Sequence, residues 1–327
     1  MKPIRRILVA IKDPEARAFP ALDKAIQLAK SLHASLELYH AIATPVYVDF
    51  EVTQHSLREI EDARLASYRR RLEVLAARAR EQQVKVSVSV GWDFPSHEAI
   101  VRQASASRAD LIVAECHQGR RLTPWLMHLT DWELIRTSAV PVLLVRSKQL
   151  YDHPLILAAV DPTHSHAKPA RLDEAILATA QQFSHALSGS LHAVHAYFPV
   201  PLDVPSSAIR TDASAASLYT QVRSQARAAF ERVAKLARIP RARRHLVDVH
   251  PVDAIPETAH NIGADLVVMG AVSRSGLKRV FIGNTAERAL GAIHCDVLVV
   301  KPSQFTARVA RKVQGLRLVS PRMPFAY

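Results

Sequence analysis

Two tandem doubly wound α/β domains, each built on a five-stranded parallel sheet, are the architecture that this 327-residue sequence predicts. Three observations predict it. The two halves of the chain repeat one another, and within each half short runs rich in Val, Ile and Leu alternate with helical stretches. The composition, 49% apolar and 22% charged, suits two compact domains and shows no sign of wholesale disorder.

The repeat comes first because a duplicated unit fixes how every later motif is placed. Ile7-Leu-Val-Ala-Ile11 matches Ile156-Leu-Ala-Ala-Val160, and Ala21-Leu-Asp-Lys-Ala-Ile26 matches Arg171-Leu-Asp-Glu-Ala-Ile176. Ala109-Asp-Leu-Ile-Val113 matches Ala264-Asp-Leu-Val-Val268, Val140-Pro-Val-Leu-Leu-Val145 answers Cys295-Asp-Val-Leu-Val-Val300, and these pairs share one offset of 155 with Leu36 and Leu191. The domains predicted are 1–148 and 153–303, followed by a basic tail over 304–327.

The elements follow in order. Near-continuous apolar runs are what a parallel sheet covered on both faces requires, so strands are expected near 5–11, 35–41, 84–90, 110–115 and 141–146. Between them the clearest helix is 54–82, where Leu57, Ile60, Leu65, Tyr68, Leu72, Leu75 and Ala79 recur mostly at threes and fours. The second half repeats the plan with strands near 154–160, 189–197, 245–250, 265–270 and 296–301. Its helices are expected near 170–187, 214–238, 253–262 and 284–293.

Composition excludes several function classes. Cys116 and Cys295 are not a closely spaced pair, so there is no disulfide framework and no thiolate metal box, and a reducing compartment is implied. The apolar stretch at the amino terminus stops at Ile11, too short for a signal peptide or a membrane span, and a cytoplasmic location is expected. The net charge of +13 is spread in clusters such as Arg69-Arg70-Arg71 and Arg241-Ala-Arg243-Arg244. Without interleaved aromatic residues or a nucleic-acid-binding motif it reads as solvated surface charge, and no specific nucleic acid is expected as partner. No G-x-S-x-G, H-E-x-x-H or C-x-x-C pattern occurs.

One stretch carries chemistry: GAVSRSGLKRVFIGNT, residues 270–285, between an apolar run and a helix. Open α/β sheets bind ligands at the carboxyl ends of their strands, and Gly270 stands at such an end. A glycine there lets backbone amides approach a phosphate, and Gly283 at a helix start exposes first-turn amides carrying roughly half a positive charge. Asn284 and Thr285 add donors, while Arg274, Lys278 and Arg279 bring charge. The bland reading stays open on spacing alone: Gly270 ends a strand, Gly283 starts a helix, and Asn284 or Thr285 caps it. The stretch is neither a Walker loop nor a G-x-G-x-x-G fingerprint.

The duplicated unit, a strand ending Ala-Val-Asp161, and Gly270-x-x-Ser273 followed by nine residues and Gly283-Asn284 resemble the universal stress protein family in its tandem-domain E type. The resemblance spans residues 4–302 and implies a Rossmann-like fold of the adenine nucleotide alpha hydrolase kind. Binding members carry G-x-x-G, nine residues, then G-[ST]. By that resemblance Asp161, with Ala159 before it, holds adenine or its surroundings, and Ala196 lies against the base. Met269 and Gly270 meet ribose and phosphates; Gly283, Asn284 and Thr285 wrap the phosphate chain. Two departures stand out. Ser273 replaces the second glycine, at a cost of about 1 kcal/mol if that position needs a positive φ, and Asn284 replaces the usual Ser or Thr. The cofactor expected is ATP in the second domain. Any magnesium arrives with the triphosphate, because no carboxylate falls within 270–285 to hold it.

The first half has lost these features. Glu115 stands opposite Gly270, Gln118 opposite Ser273, His128 opposite Gly283, Leu129 opposite Asn284, and Lys12 opposite Asp161. A carboxylate at the phosphate position repels polyphosphate, so no ATP is expected there. Trp92, Trp125 and Trp132, all in this half, either line the vacated cleft with Phe94 or simply pack the core. His164 and His166 follow Asp161, but a solvated loop pair is commoner than a ligand set, and no metal site is assigned. His192 and His195, three apart on a strand, face opposite sides.

No residue stands out as a general base, and no catalytic residue is assigned. A nucleotide-responsive regulator is therefore preferred to an enzyme, with a slow ATPase and a carrier or scaffold as alternatives. In the resembling family single-domain members pair by their last strands. That implies an internal pseudo-dimer through 141–146 and 296–301, leaves a further homodimer open, and admits protein partners.

Overall fold

The computed structural model describes residues 2–43, 46–47, 54–116, 129–163, 171–197, 212–271, 284–302, 304–307, 309–310, 313, 315 and 318–319. The chain forms two compact units: 2–145 together with 306–327, and 146–305.

The amino-terminal unit runs β1 (Arg6–Ala10), α1 (Pro20–Leu32), β2 (Ser35–Ile42), β3 (Val46–Tyr47), α2 (Gln54–Glu81), β4 (Val86–Trp92), α3 (Ser96–Ala106), β5 (Leu111–Glu115), α4 (Leu129–Thr137) and β6 (Val142–Val145). Its five main strands lie in the order β4-β2-β1-β5-β6, and all their pairings are parallel. The carboxyl-terminal unit runs β7 (Leu155–Ala159), α5 (Leu172–Ala186), β8 (Ser190–Ala196), α6 (Asp212–Leu236), β9 (Arg244–Val247), α7 (Pro251–Asn261), β10 (Leu266–Gly270), α8 (Asn284–Ala292) and β11 (Asp296–Val300). Its order, β9-β8-β7-β10-β11, is the same plan. The expected α/β fold class holds in both units.

Continuous burial explains the central strands. Ile7, Leu8 and Val9, Leu111 to Val113, Ile156 to Ala158 and Leu266 to Val268 are all fully enclosed, because helices cover both faces. Right-handed crossovers put helices that follow a leftward step on one face and those that follow a rightward step on the other. Accordingly α1 packs over β1, β2, β5 and β6, whereas α3 packs against α4 and β2.

The duplication reaches the backbone angles. His33 and Ser188, Gln83 and Arg238, and Arg108 and Gly263 are three pairs at the offset of 155, and every member has a positive φ between 52° and 65°. Each follows a helix and turns the chain back toward the next strand. A carboxylate repeats as well. Asp110 accepts the amides of Arg5 and Arg6 at the start of β1, and Asp265 accepts that of Leu155 at the start of β7.

One expected pattern is only half realised. In α2 the last three turns bury Leu72, Leu75, Ala76 and Ala79, but Ile60 is 40% exposed. A 28-residue helix is roughly 42 Å long, whereas the eight residues of β2 span about 26 Å, so the first turns of α2 outrun the sheet.

Beyond β11 the chain joins the amino-terminal unit. Two-residue β12 (Leu318–Val319) pairs in parallel with β3. The Arg102 guanidinium, buried in a bidentate pair with Asp93 and bonded to Glu98, donates 3.0 Å to the carbonyl of Ala310. Among the described residues no helix is long and apolar enough to cross a membrane.

Candidate functional site

In the carboxyl-terminal unit the strand order reverses between β7 and β10, which are neighbours in the sheet although the chain visits β8 and β9 between them. A crevice opens at the carboxyl ends of such strands. Here the sheet brings together Ala159, in register with Met269, then Gly270 one residue further, and Ala196 closing β8. Ala159, Ala196 and Met269 are buried, so their contribution is shape and a dry floor. Ser273, Arg274, Lys278, Arg279 and Gly283 lie outside the described residues, as do His164 and His166. Asn284 and Thr285 form the first positions of α8, whose unpaired amides carry the positive end of the helix dipole.

Asp161 is held from several directions. Its amide donates to Asp173 Oδ1 at 3.0 Å, and its Oδ1 accepts from Thr163 Oγ1 at 3.2 Å. The residue before it is pinned too: the Val160 amide donates to Val194 O, and Val160 O lies 3.2 Å from His195 Nδ1. His195 is fully buried, packs its ring 5.8 Å from that of Phe230 in α6, and stands 4.0 Å from Asp161 Oδ1. Because a carbonyl only accepts, Nδ1 carries the proton.

Sequence reading passed over this histidine, noting only that His192 and His195 face apart. They do: His192 meets His245, 3.0 Å away, and not His195. The signal available was the repeat itself. His40 stands at the same offset of 155, and its Nδ1 lies 2.8 Å from the carbonyl of Ile11, the counterpart of Val160. His40 is buried against Tyr68 of α2, and burial lowers its pKa despite the bond to Ile11 O. Both units thus use a buried imidazole to fix the peptide that leaves their first strand.

Gly270 has a packing reason for being glycine. A Cβ there would come within 2.7 Å of Leu172 Cδ2 and 3.1 Å of Ile176 Cδ1, so the first turns of α5 seat directly on the strand end. Close helix-to-strand contact accounts for this residue whether or not a phosphate approaches it.

The amino-terminal unit departs at the same place. Glu115 ends β5 with its side chain exposed, and a cavity of about 260 Å³ remains at the ends of β1 and β5. Its aromatic wall is Phe19; Trp92, Trp132 and Phe94 do not line it, and Trp125 lies outside the described residues. Trp92 is instead a core residue, 5% exposed at the end of β4. Among the described residues no group of three His, Cys, Asp or Glu side chains gathers as a metal site.

Comparison with known proteins agrees with this geometry. The model described as the universal stress protein family matches residues 3–146 and again 155–301. Universal stress protein E of Salmonella typhi is 29% identical over 92% of this chain and 96% of its own length, and that of Escherichia coli K12 is 28% identical over the same shares. A crystal structure of a functionally unknown protein from Pseudomonas aeruginosa PAO1 superposes with a TM-score of 0.71 at 24% identity, covering 92% of this chain and 93% of that one.

Proposed function

The chain belongs to the universal stress protein family, a family of stress-response proteins, and from that premise we propose that its carboxyl-terminal unit binds an adenine nucleotide, ATP foremost. One observation carries the reading. Ala159, Asp161, Ala196, Met269 and Gly270, spread over more than a hundred residues of sequence, stand at or just past the carboxyl ends of the adjacent strands β8, β7 and β10, where the strand order reverses, with α8 beginning at Asn284.

The division of labour follows from the chemistry. The buried Ala159, Ala196 and Met269 offer an apolar bed to a base, and the Asp161 carboxylate offers an acceptor to its amino group or to the ribose. Phosphates turn toward the first-turn amides of α8 and the residues before them. Magnesium, where needed, travels with the triphosphate. The Glu115 carboxylate in the amino-terminal unit opposes a polyphosphate, so one nucleotide binds per chain. The protein acts as a nucleotide-responsive regulator. Hydrolysis, if measured in a single turnover, runs well below one per second, the lower end of ordinary catalysis.

Calorimetry with ATP on the full chain tests this. The expected stoichiometry is one, and Gly283→Val, which places a branched side chain against the phosphate path, removes binding. Two sites per chain, or binding that survives Gly283→Val, would overturn the assignment.

A further inference from the structure

At the amino end of β9 the chain concentrates charge of one sign. Residues 232–247 contain six Lys or Arg and no acid; they close α6, pass through the 3-10 turn Arg241–Arg243 and enter β9, the outermost strand of its unit. Arg244 is committed internally: its guanidinium donates to the Glu231 carboxylate and to the carbonyl of Ile239, which draws the end of α6 and the start of β9 into one corner. The other five, Arg232, Lys235, Arg238, Arg241 and Arg243, have no carboxylate partner among the described residues, and all but the half-buried Arg243 are exposed.

The surrounding acids do not offset them. Every segment that leads a helix into a strand of this unit is described: 187–189, 237–243, 262–265 and 293–295. Asp152 and Asp265 lead into β7 and β10, two and three strands across from β9, so roughly 10 and 14 Å away at the spacing of neighbouring strands. That exceeds the screening length of about 8 Å at physiological salt. Asp296 is buried against Tyr151, and Asp248, past the far end of β9, is bonded by Tyr219. Asp173 and Glu174 open α5 and are bonded to the Asp161 amide and to Arg171, while α7 carries Asp253 and Glu257 in its first two turns, which start beyond the carboxyl end of β9.

The fold does not ask for this charge. At the offset of 155 the first unit has Ala77, Arg80, Gln83, Val86 and Val88, and Arg80 there is paired with Glu73, as the nearby Arg78 is with Asp23. Five like charges on one corner repel one another and weaken the folded state unless an anion sits among them. Four of the five are arginines, whose planar forks grip phosphate oxygens in pairs. No Phe, Tyr or Trp occurs in 232–247 for a nucleic-acid base to stack on, so recognition ends at the phosphates. A chain of bare phosphates carries more charge per length than a backbone spaced by sugars, and so meets more of the cations at once.

We propose that this corner binds linear inorganic polyphosphate. It is separate from the nucleotide reading, which draws on the carboxyl ends of the strands.

The probe is a medium-length polyphosphate titrated into the full chain by calorimetry. Binding should saturate with a Kd on the order of ten micromolar at about 0.1 M salt, and log affinity should fall against log salt with a slope of about −3, as four or five phosphate contacts imply. Arg238→Gln with Arg241→Gln should weaken binding about tenfold or more and flatten that slope by about 1 to 2. Gln83 already holds the backbone conformation of Arg238 in the first unit, so the fold tolerates the exchange. Arg69→Gln with Arg70→Gln removes equal charge from exposed positions of α2 and should change affinity by less than about twofold. An oligodeoxythymidylate and vesicles of anionic phospholipid, compared per phosphate, should bind about tenfold more weakly. Equal weakening by the two double variants, equal or tighter binding of the oligonucleotide or the vesicles, or no saturation at about a millimolar overturns the proposal. Polyphosphate binding survives Gly283→Val; its loss there would move the chain to the carboxyl-terminal crevice and overturn the assignment too. The ATP stoichiometry reports on the nucleotide site alone, so failure of either site is read separately.

Discussion

Gly270 separates two explanations that sequence alone leaves entangled. A glycine beside a phosphate-binding stretch reads naturally as an opening for an anion, yet the space its Cβ would occupy belongs to Leu172 and Ile176. Nothing in the spacing of 270–285 conveys this, because the helix that fills the space begins about a hundred residues earlier. Gly270→Ala should therefore lower stability by about 1–3 kcal/mol in urea unfolding without any nucleotide present, the usual cost of overpacking a settled contact. An unchanged midpoint would return the residue to a purely ligand-facing role. Asp110 shows the reverse case, a residue whose place was legible while its task was not. Burial raises its pKa, but the amides of Arg5 and Arg6 and the Lys2 ammonium outweigh that and hold the carboxyl below its ordinary value. The repeated Ala-Asp-Leu of 109–111 and 264–266 is thus the clasp that starts each sheet.

At the scale of elements, strands and helices fell within a few residues of their expected ends because unbroken apolar runs leave little freedom in where a buried strand stops. What periodicity missed was set by distant partners. The outer half of α2 has the apolar rhythm of a packed helix, yet Ile60 stays 40% exposed. Strands β3 and β12 are two residues each and exist only because segments some 270 residues apart meet. The edge strand β9 carries another such pairing, from His245 to His192 on β8. Their rings are nearly coplanar at 9° with centroids 5.3 Å apart, the geometry of one N–H donating in line to the facing nitrogen. A second proton has no acceptor there. Burial, His245 and Arg243 push His192 down to about 4, and burial lowers His245 as well. The unfolded chain then binds more protons than the folded one between about 6.5 and 4, so stability is full above that window and falls as pH descends through it. His192→Phe should flatten part of this slope in urea midpoints measured from pH 7 to 4; an identical slope would show that the pair contributes nothing.

For the whole molecule, the duplicated plan and the divergence of the two carboxyl edges were both open to reading from one sequence, since an offset of 149 or 150 aligns the first strand and helix and one of 155 aligns the positions from Leu36 onward. The path of the last residues was not. Five basic residues without an acid in 302–327 read as solvated tail, whereas the segment 306–327 belongs to the amino-terminal unit, held by β12 and by the bond from Arg102 to Ala310. Tryptophans 92, 125 and 132 all lie in that unit, so tryptophan fluorescence reports on it alone. Ending the chain at Pro302 should lower the stability read from fluorescence-detected urea unfolding by an amount on the order of 2 kcal/mol, the worth of a charged hydrogen bond and its neighbours. A midpoint equal to that of the full chain would mean the return path is ornamental. The same return path has a consequence for synthesis. The half translated first waits for a closing piece made only after the whole carboxyl-terminal unit, so a nascent-chain factor or an early stop codon meets an amino-terminal fold that still lacks the strand pairing with β3.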